Sequence, residues 1–148
     1  MTKLTLATME DLERLLPQVA AFHEEEGIEQ DDTTRRAALA PLLEGSPHGC
    51  VYLAGPRRAP IGYVIVSFGW SVEFGGLDGF VDEIFIRPSV RGRGIGTEIL
   101  ITLPKTLAAA GMKAIHLEVD RGNTSARRLY EKLRFEPREN YMLMSRKL

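Results

Sequence analysis

Residues 91–97 read Arg91-Gly92-Arg93-Gly94-Ile95-Gly96-Thr97. The stretch joins a segment of strand character at 80–87 (FVDEIFIR), ended by Pro88, to a helical run at 94–110 with Gly111 as its stop signal. Three glycines at alternate positions permit backbone conformations denied to other residues. They also let a ligand approach the main chain closely. The helix that follows presents unpaired N–H groups and a positive dipole end. Such a terminus suits an anion, a pyrophosphate in particular, and Arg91 and Arg93 add positive charge. The plain alternative is a glycine-rich turn that holds nothing.

Working outward, residues 3–7 (KLTLA) alternate and predict a strand. Thr8, with Asp11 three residues on, predicts a helix start, and Leu12, Leu15, Leu16, Val19 and Phe22 continue at helical spacing to Gly27. Pro17 is expected to kink that helix or shift its start. A second helix is expected at 33–44. Strands are expected at 50–54, at 61–68 and at 80–87, with the glycine-rich 70–79 as the connection between antiparallel strands. The run at 61–68 (IGYVIVSF) suits a strand buried on both faces. After the helix at 94–110, kinked at Pro104, come a strand at 113–119, a helix at 123–133, and closing strands at Phe135 and 141–147. Alternating elements of this kind predict an α/β domain around one mixed sheet. No repeat or long linker divides the chain, so one domain is expected over 1–148.

The chain has 148 residues, of which 44% are apolar and 26% charged, which excludes a disordered or fibrous class. No apolar run approaches the roughly 18 residues of a membrane span, and the first residues lack a signal-peptide pattern. A lone Cys50 forms no internal disulfide and no zinc cage, and in a strand pattern it reads as a packing residue. A cytoplasmic setting is the simplest expectation. His23, His48 and His116 show no metal spacing, and His116 reads as structural. Met142 and Met144 read as core or interface. Net charge is −1, which gives no case for nucleic-acid binding. Residues 1–79 carry 6 basic and 12 acidic side chains, a net of −6, and residues 80–148 carry 13 and 8, a net of +5. The two halves could face ligands of opposite sign, or simply be solvated surface.

The nucleotide P-loop requires Gly-Lys-Ser/Thr, which is absent. A dinucleotide GxGxxG fingerprint requires glycine where Thr97 or Ile99 stands, and usually follows the first strand of its domain. The pattern Arg91-x-x-Gly94-x-Gly96 after a strand ending at Pro88 instead resembles the GNAT superfamily of acetyl-CoA-dependent N-acetyltransferases. Asn123, Ala126, Leu129-Tyr130-Glu131-Lys132-Leu133 and Phe135 resemble that family's second signature. The order of elements is also similar across the chain, although only residues 81–135 carry specific motifs.

The resemblance implies a GNAT-like single domain with a mixed, mostly antiparallel central sheet flanked by helices. It implies that main-chain amides of Gly92, Arg93, Gly94, Ile95, Gly96 and Thr97, beside Arg91, hold the CoA diphosphate. The pantetheine arm would pair with the backbone of Ile84, Phe85 and Ile86, whose side chains remain free to be core residues. Asn123 would contact that arm, or simply cap a helix. Asn123, Arg127 and Tyr130 fall at i, i+4 and i+7 and share one helix side. Tyr130 would protonate the departing thiolate as a general acid, unless it only belongs to an apolar stripe with Ala126, Leu129 and Leu133. Asp82 and Glu83 are adjacent acids in an otherwise apolar strand, so burial there is costly without a partner or a task. Either could act as base or hold the acceptor, with water as an alternative base, and only one should face the acceptor unless a bulge intervenes. Some diamine and polyamine acetyltransferases of the family carry an acidic pair at this point. A main-chain N–H near 84–86 would hold the oxyanion.

Acceptor specificity in such enzymes comes from segments that are here 22–32, rich in Glu and Asp, and 68–78, with Trp70, Glu73, Phe74 and Asp78. Acids plus aromatics suit a small cationic amine, whereas a charged helix end and a core Trp would be the plain alternative. The expected reaction is direct acetyl transfer from acetyl-CoA to a primary amine in a ternary complex. No metal, nucleic acid or membrane is involved, and a homodimer through the final strand is compatible. Alternatives are acetylation of a protein N-terminus or lysine, a non-catalytic CoA-binding regulatory domain, and a nucleotide-binding module. Two departures stand out. Arg134 occupies a place where the family often has glycine, so the helix cap is expected to be strained or different. Pro104 interrupts the helix after the loop.

Overall fold

The apolar run at 61–68 lies at the centre of the sheet, because both of its faces are covered. The computed structural model describes all 148 residues. It divides into two compact units, Met1–Glu118 and Val119–Leu148. The first holds five strands, β1 (Leu4–Leu6), β2 (Gly49–Ala54), β3 (Gly62–Ser71), β4 (Gly76–Ile86) and β5 (Ala114–His116), in the order β1-β2-β3-β4-β5. All pairs are antiparallel except β4–β5. The unit also holds helices α1 (Leu12–Glu25), α2 (Asp32–Leu43) and α3 (Ile95–Ala109).

Alternation along β3 builds two cores. Tyr63 and Ile65 pack with Val51, Leu53, Phe85 and the buried leucines of α1 and α2. Val64 and Val66 pack with Val81 and with Ile99, Leu103 and Leu107 of α3. Every strand face that carries them is thus removed from water, which explains why β3 shows no polar alternation. Pro17, Pro41 and Pro104 lie inside α1, α2 and α3, and each helix continues through its proline. Each proline forgoes one backbone bond, which the tertiary packing offsets.

Several boundaries differ from expectation. The start at Thr8 is a short 3-10 turn, Met9–Asp11, that leads into α1. Residues 70–79 are largely strand: β3 runs to Ser71, β4 starts at Gly76, and only residues 72–75 turn. The glycines suggested a loop, but they serve a long hairpin whose tip alone needs glycine, with Gly75 at φ +91°. β5 is three residues long rather than seven. No strand forms at Phe135 or at 141–147. Tyr141, Met142, Leu143 and Met144 are four consecutive apolar residues and lack the alternation of a half-buried strand. All four are exposed, so Met142 and Met144 are not core residues.

The acid at the start of α1 is buried and pinned. Asp11 receives hydrogen bonds from Thr8 N (2.9 Å), Arg14 Nη2 (2.8 Å) and Arg57 Nε (3.0 Å). Burial pushes its carboxyl up, but these donors and the Arg57 charge outweigh burial and hold it at about 2. A lowered pKa contributes stability that is complete above the unfolded value near 3.8 and is lost as pH falls through about 2. Asp11→Asn is therefore expected to cost about 1.5–3 kcal/mol at neutral pH. In thermal melts its difference from wild type should shrink steadily between pH 4 and pH 2.

The second unit contains α4 (Thr124–Lys132). Its N-terminus is capped by Asn123 Oδ1, which accepts from Ala126 N at 3.1 Å. At its other end Phe135 N bonds Tyr130 O (2.9 Å) and Arg134 N bonds Glu131 O (3.0 Å). The Tyr130 and Phe135 rings meet edge-on at 6.1 Å. This is the paired-bond helix stop that glycine usually supplies, yet Arg134 occupies the left-handed position at φ +73°. The cap is kept and the strain is borne by arginine. Arg134→Gly is expected to raise the melting temperature through relief of about 1 kcal/mol of backbone strain.

Candidate active site

A single irregularity in β4 organises the site. Ile65 pairs with Glu83, whereas its neighbour Val66 pairs with Val81, so Asp82 is the extra residue of a bulge. Without it, Val81 and Glu83 would share one face. With it, Val81 packs toward α3 while Glu83 pairs beside Ile65, on the α1–α2 side. The bulge that would let both acids serve one site is therefore present.

Glu83 is nearly buried and both its oxygens are held. Tyr63 Oη donates to Oε1 at 2.7 Å, and His23 Nε2 lies 2.9 Å from Oε2. His23 Nδ1 in turn accepts from Arg35 Nε at 3.2 Å. Arg35 is buried as well, and it binds Asp32 (2.5 Å) and the Gln30 carbonyl (2.8 Å). Burial, followed by the charge of Glu83, pushes the Tyr63 hydroxyl far above its usual range, so it stays a donor. Asp82 is solvent-accessible at its bulge. Its carboxyl is raised by desolvation, then by the charges of Glu83 and Glu118. His23 carried no signal as one of three scattered histidines. Its place does carry one: Leu12, Leu16, Val19 and His23 follow the buried stripe of α1, and a polar ring there needs a partner.

β4 also has an open edge. β3 pairs with it from Gly76 to Ile86, but β5 pairs only with Asp78–Phe80. The parallel ladder stops just before the bulge, where the strand is bent and its pairing disrupted. The main-chain groups of residues 81–86, including Ile84, Phe85 and Ile86, therefore have no strand on that side. A short 3-10 turn, Pro88–Val90, leads from this edge into the glycine loop.

In the loop Gly92 and Gly94 both adopt φ +78°. A Cβ at Gly92, Gly94 or Gly96 would meet no non-neighbouring atom within 4 Å, so the space beside the loop is open. Gly94 caps α3 with no side-chain bond, and the first helical bond is Glu98 N to Gly94 O (3.0 Å). The N–H groups of Ile95, Gly96 and Thr97 thus have no intrahelical acceptor. Arg91 is engaged within the chain. It donates to the Ile86 carbonyl (2.8 Å) and to both oxygens of Glu25 (2.8 and 3.0 Å), and it stacks over Phe85. It ties the loop to α1. Arg93 is exposed.

In the second unit Arg127 and Tyr130 lie on α4 as expected, and Asn123 stands just before it as its N-cap. Asn123 caps the helix, and Arg127 pairs with Glu139. Tyr130 is half-buried, and burial raises its hydroxyl, which keeps it protonated.

The segments expected to meet an acceptor are partly committed to structure. Glu25 binds Arg91, Asp31 caps α2 through Thr34 N (2.7 Å), and Asp32 binds Arg35. Glu24, Glu26 and Glu29 are exposed. Asp78 binds His116 at 3.0 Å, against which Phe74 packs edge-on. Trp70 is not a core residue: it is 75% exposed near the hairpin tip. Cys50 is buried, and burial pushes its thiol up, with a hydrogen bond to Tyr52 only partly opposing this. No cluster of three or more His, Cys, Asp or Glu side chains has the makings of a metal site. No helix is long and apolar enough to cross a membrane.

Comparison with known proteins agrees with this geometry. The model of the acetyltransferase (GNAT) family matches residues 8–135. An acetyltransferase of Sodalis glossinidius is 34% identical over 77 residues, which cover 50% of this chain and 54% of that protein. The chain spans about half the length, or less, of the curated relatives it matches. A solved putative acetyltransferase of Arthrobacter sp. FB24 is 28% identical, with a TM-score of 0.81 over 99% of this chain and 96% of that one. A Clostridium acetobutylicum structure, described as a predicted acetyltransferase with acetyl-CoA, superposes with a TM-score of 0.77 at 20% identity, covering 98% of this chain and 96% of that one. With a glycine loop after an open-edged strand and a family model matched from 8 to 135, the chain belongs to the acetyltransferase (GNAT) family.

Proposed function

We propose that residues 1–148 form one N-acetyltransferase domain that moves an acetyl group from acetyl-CoA to a primary amine, in a ternary complex. The observation that carries this reading is the edge of β4 at 81–86 that no neighbouring strand covers, which runs into a glycine loop with open space beside it. The residues fit the co-substrate. Main-chain amides of Gly92 to Thr97 would hold its diphosphate at the α3 terminus. The backbone of Ile84 to Ile86 would hold its extended arm by strand addition, and Asn123 and Arg127 would add side-chain contacts. When bound, acetyl-CoA supplies the activated acetyl thioester.

The chain's own residues supply the proton chemistry. Glu83, held at both oxygens and flanked by Asp82, takes a proton from the acceptor ammonium. A Lys-like amine has a reference pKa near 10.4, so this step is needed before attack. Main-chain N–H groups of the same stretch stabilise negative charge developing on the acyl oxygen. Tyr130 Oη gives its proton to the departing sulfur. The raised, buried Cys50 thiol is a poor acyl carrier, which favours direct transfer. Exposed Glu24, Glu26 and Glu29, together with the acids on β4, favour a small cationic acceptor over a neutral one.

Gly96 offers a clean test of the donor site. Its φ is ordinary and a Cβ there meets no atom of another element within 4 Å, and an acid in the first turn of a helix is well tolerated. Gly96→Glu is expected to keep or raise the melting temperature. By calorimetry it should weaken acetyl-CoA binding about tenfold or more through repulsion of the diphosphate. Unchanged binding by a folded Gly96→Glu protein would overturn the placement of the diphosphate.

A further inference from the structure

We infer that His23 is a positioning residue for Glu83, which it holds as a neutral ring whose tautomer is set by Arg35. The inference rests on the reading of Glu83 as the group that receives the acceptor's proton. Four side chains from four elements form one chain of hydrogen bonds: Arg35 (α2), His23 (α1), Glu83 (β4) and Tyr63 (β3). Arg35 has no lone pair to offer and can only donate. Its Nε therefore donates to His23 Nδ1, which must carry a lone pair. The ring's proton then sits on Nε2, which donates to Glu83 Oε2 at 2.9 Å.

This arrangement decides between two roles. A proton relay needs a ring that accepts at one nitrogen and releases at the other. Nδ1 is occupied by the Arg35 donor and Nε2 already carries hydrogen, so His23 does not relay. It fixes. With Tyr63 on Oε1 and His23 on Oε2, the carboxylate plane is set from two sides. One further acceptor direction on each oxygen remains for an ammonium group. Burial makes the arrangement stiff: His23 is 6% and Arg35 6% exposed, and the Phe22, Tyr63 and Phe85 rings pack around it. The charged or titratable groups facing His23 from neighbouring elements are Glu83 and Asp82 on β4, Tyr63 on β3, and Arg35 with its partner Asp32 on α2.

Two measurements test the inference. The first needs no substrate: nitrogen NMR of the labelled protein should show His23 as a single neutral tautomer protonated at Nε2, and Arg35→Leu should mix the tautomers. A ring protonated at Nδ1 or at both nitrogens would overturn the proposal. The second uses acetyl-CoA with the amine turned over fastest among putrescine, spermidine, lysine and kanamycin. His23→Leu is expected to lower kcat about tenfold to a hundredfold, with the KM for acetyl-CoA unchanged. His23→Gln, whose amide can both accept from Arg35 and donate to Glu83, should restore most of the rate. Melting temperatures of both variants show whether either is unfolded, and Gln rescue is an effect that mere packing would not produce. Glu83→Gln separates the two levels of the argument. If it retains full kcat, the reading of Glu83 fails and this inference with it. If it is slow while His23→Leu keeps the wild-type kcat, only the role of His23 is overturned.

Discussion

The extra residue in β4 is the constraint on which the site depends. Strand side chains alternate, so a carboxylate two residues from a buried valine belongs on the same face as that valine. The bulge at Asp82 breaks the rule once. It leaves Val81 in the core under α3 and turns Glu83 to the α1–α2 face. It also marks where β5 stops pairing. One local irregularity thus accounts for both an aimed carboxylate and an open strand edge beside it.

A carboxylate placed among aromatic and aliphatic side chains costs several kcal/mol unless it is paired. Here the two donors come from β3 and α1, and Arg35 of α2 backs one of them, so no single segment creates the network and none can leave it alone. Arg35 is anchored by Asp32 and the Gln30 carbonyl before it reaches His23. Arg91 performs a parallel service at the other end of β4, where it fastens the glycine loop to Glu25 of α1 and to the Ile86 carbonyl. Helix α1 therefore fastens both Glu83, through His23, and the glycine loop, through Glu25 and Arg91, to the same strand.

Much of this was legible in the sequence. The strand–glycine loop–helix unit, the doubly buried β3 and the Asn123 cap follow from periodicity and turn chemistry, and the family signature follows from 91–96 and 123–135. What was not legible depended on long-range contacts. No local pattern says that Asp82 will be skipped by the ladder, or that His23 and Glu83, 60 residues apart, will touch. The glycines at 75, 76 and 79 suggested a loop because local propensity reads them as breakers. In the fold they line a long hairpin, where a Cβ at Gly69 or Gly79 would press on the side-chain ends of Asp78 and Met112. The stretch at 141–147 was expected to be a closing strand, but strands need partners as well as composition, and none pairs with it.

In the proposed complex the open edge of β4 receives the thioester arm as an added strand. Hydrogen exchange of the backbone amides at 81–86, followed with and without saturating acetyl-CoA, tests it most directly. Amides of this stretch, together with those of Ile95 to Thr97, should exchange more slowly on addition of acetyl-CoA. Protection confined to the loop, with 81–86 unchanged, would contradict it.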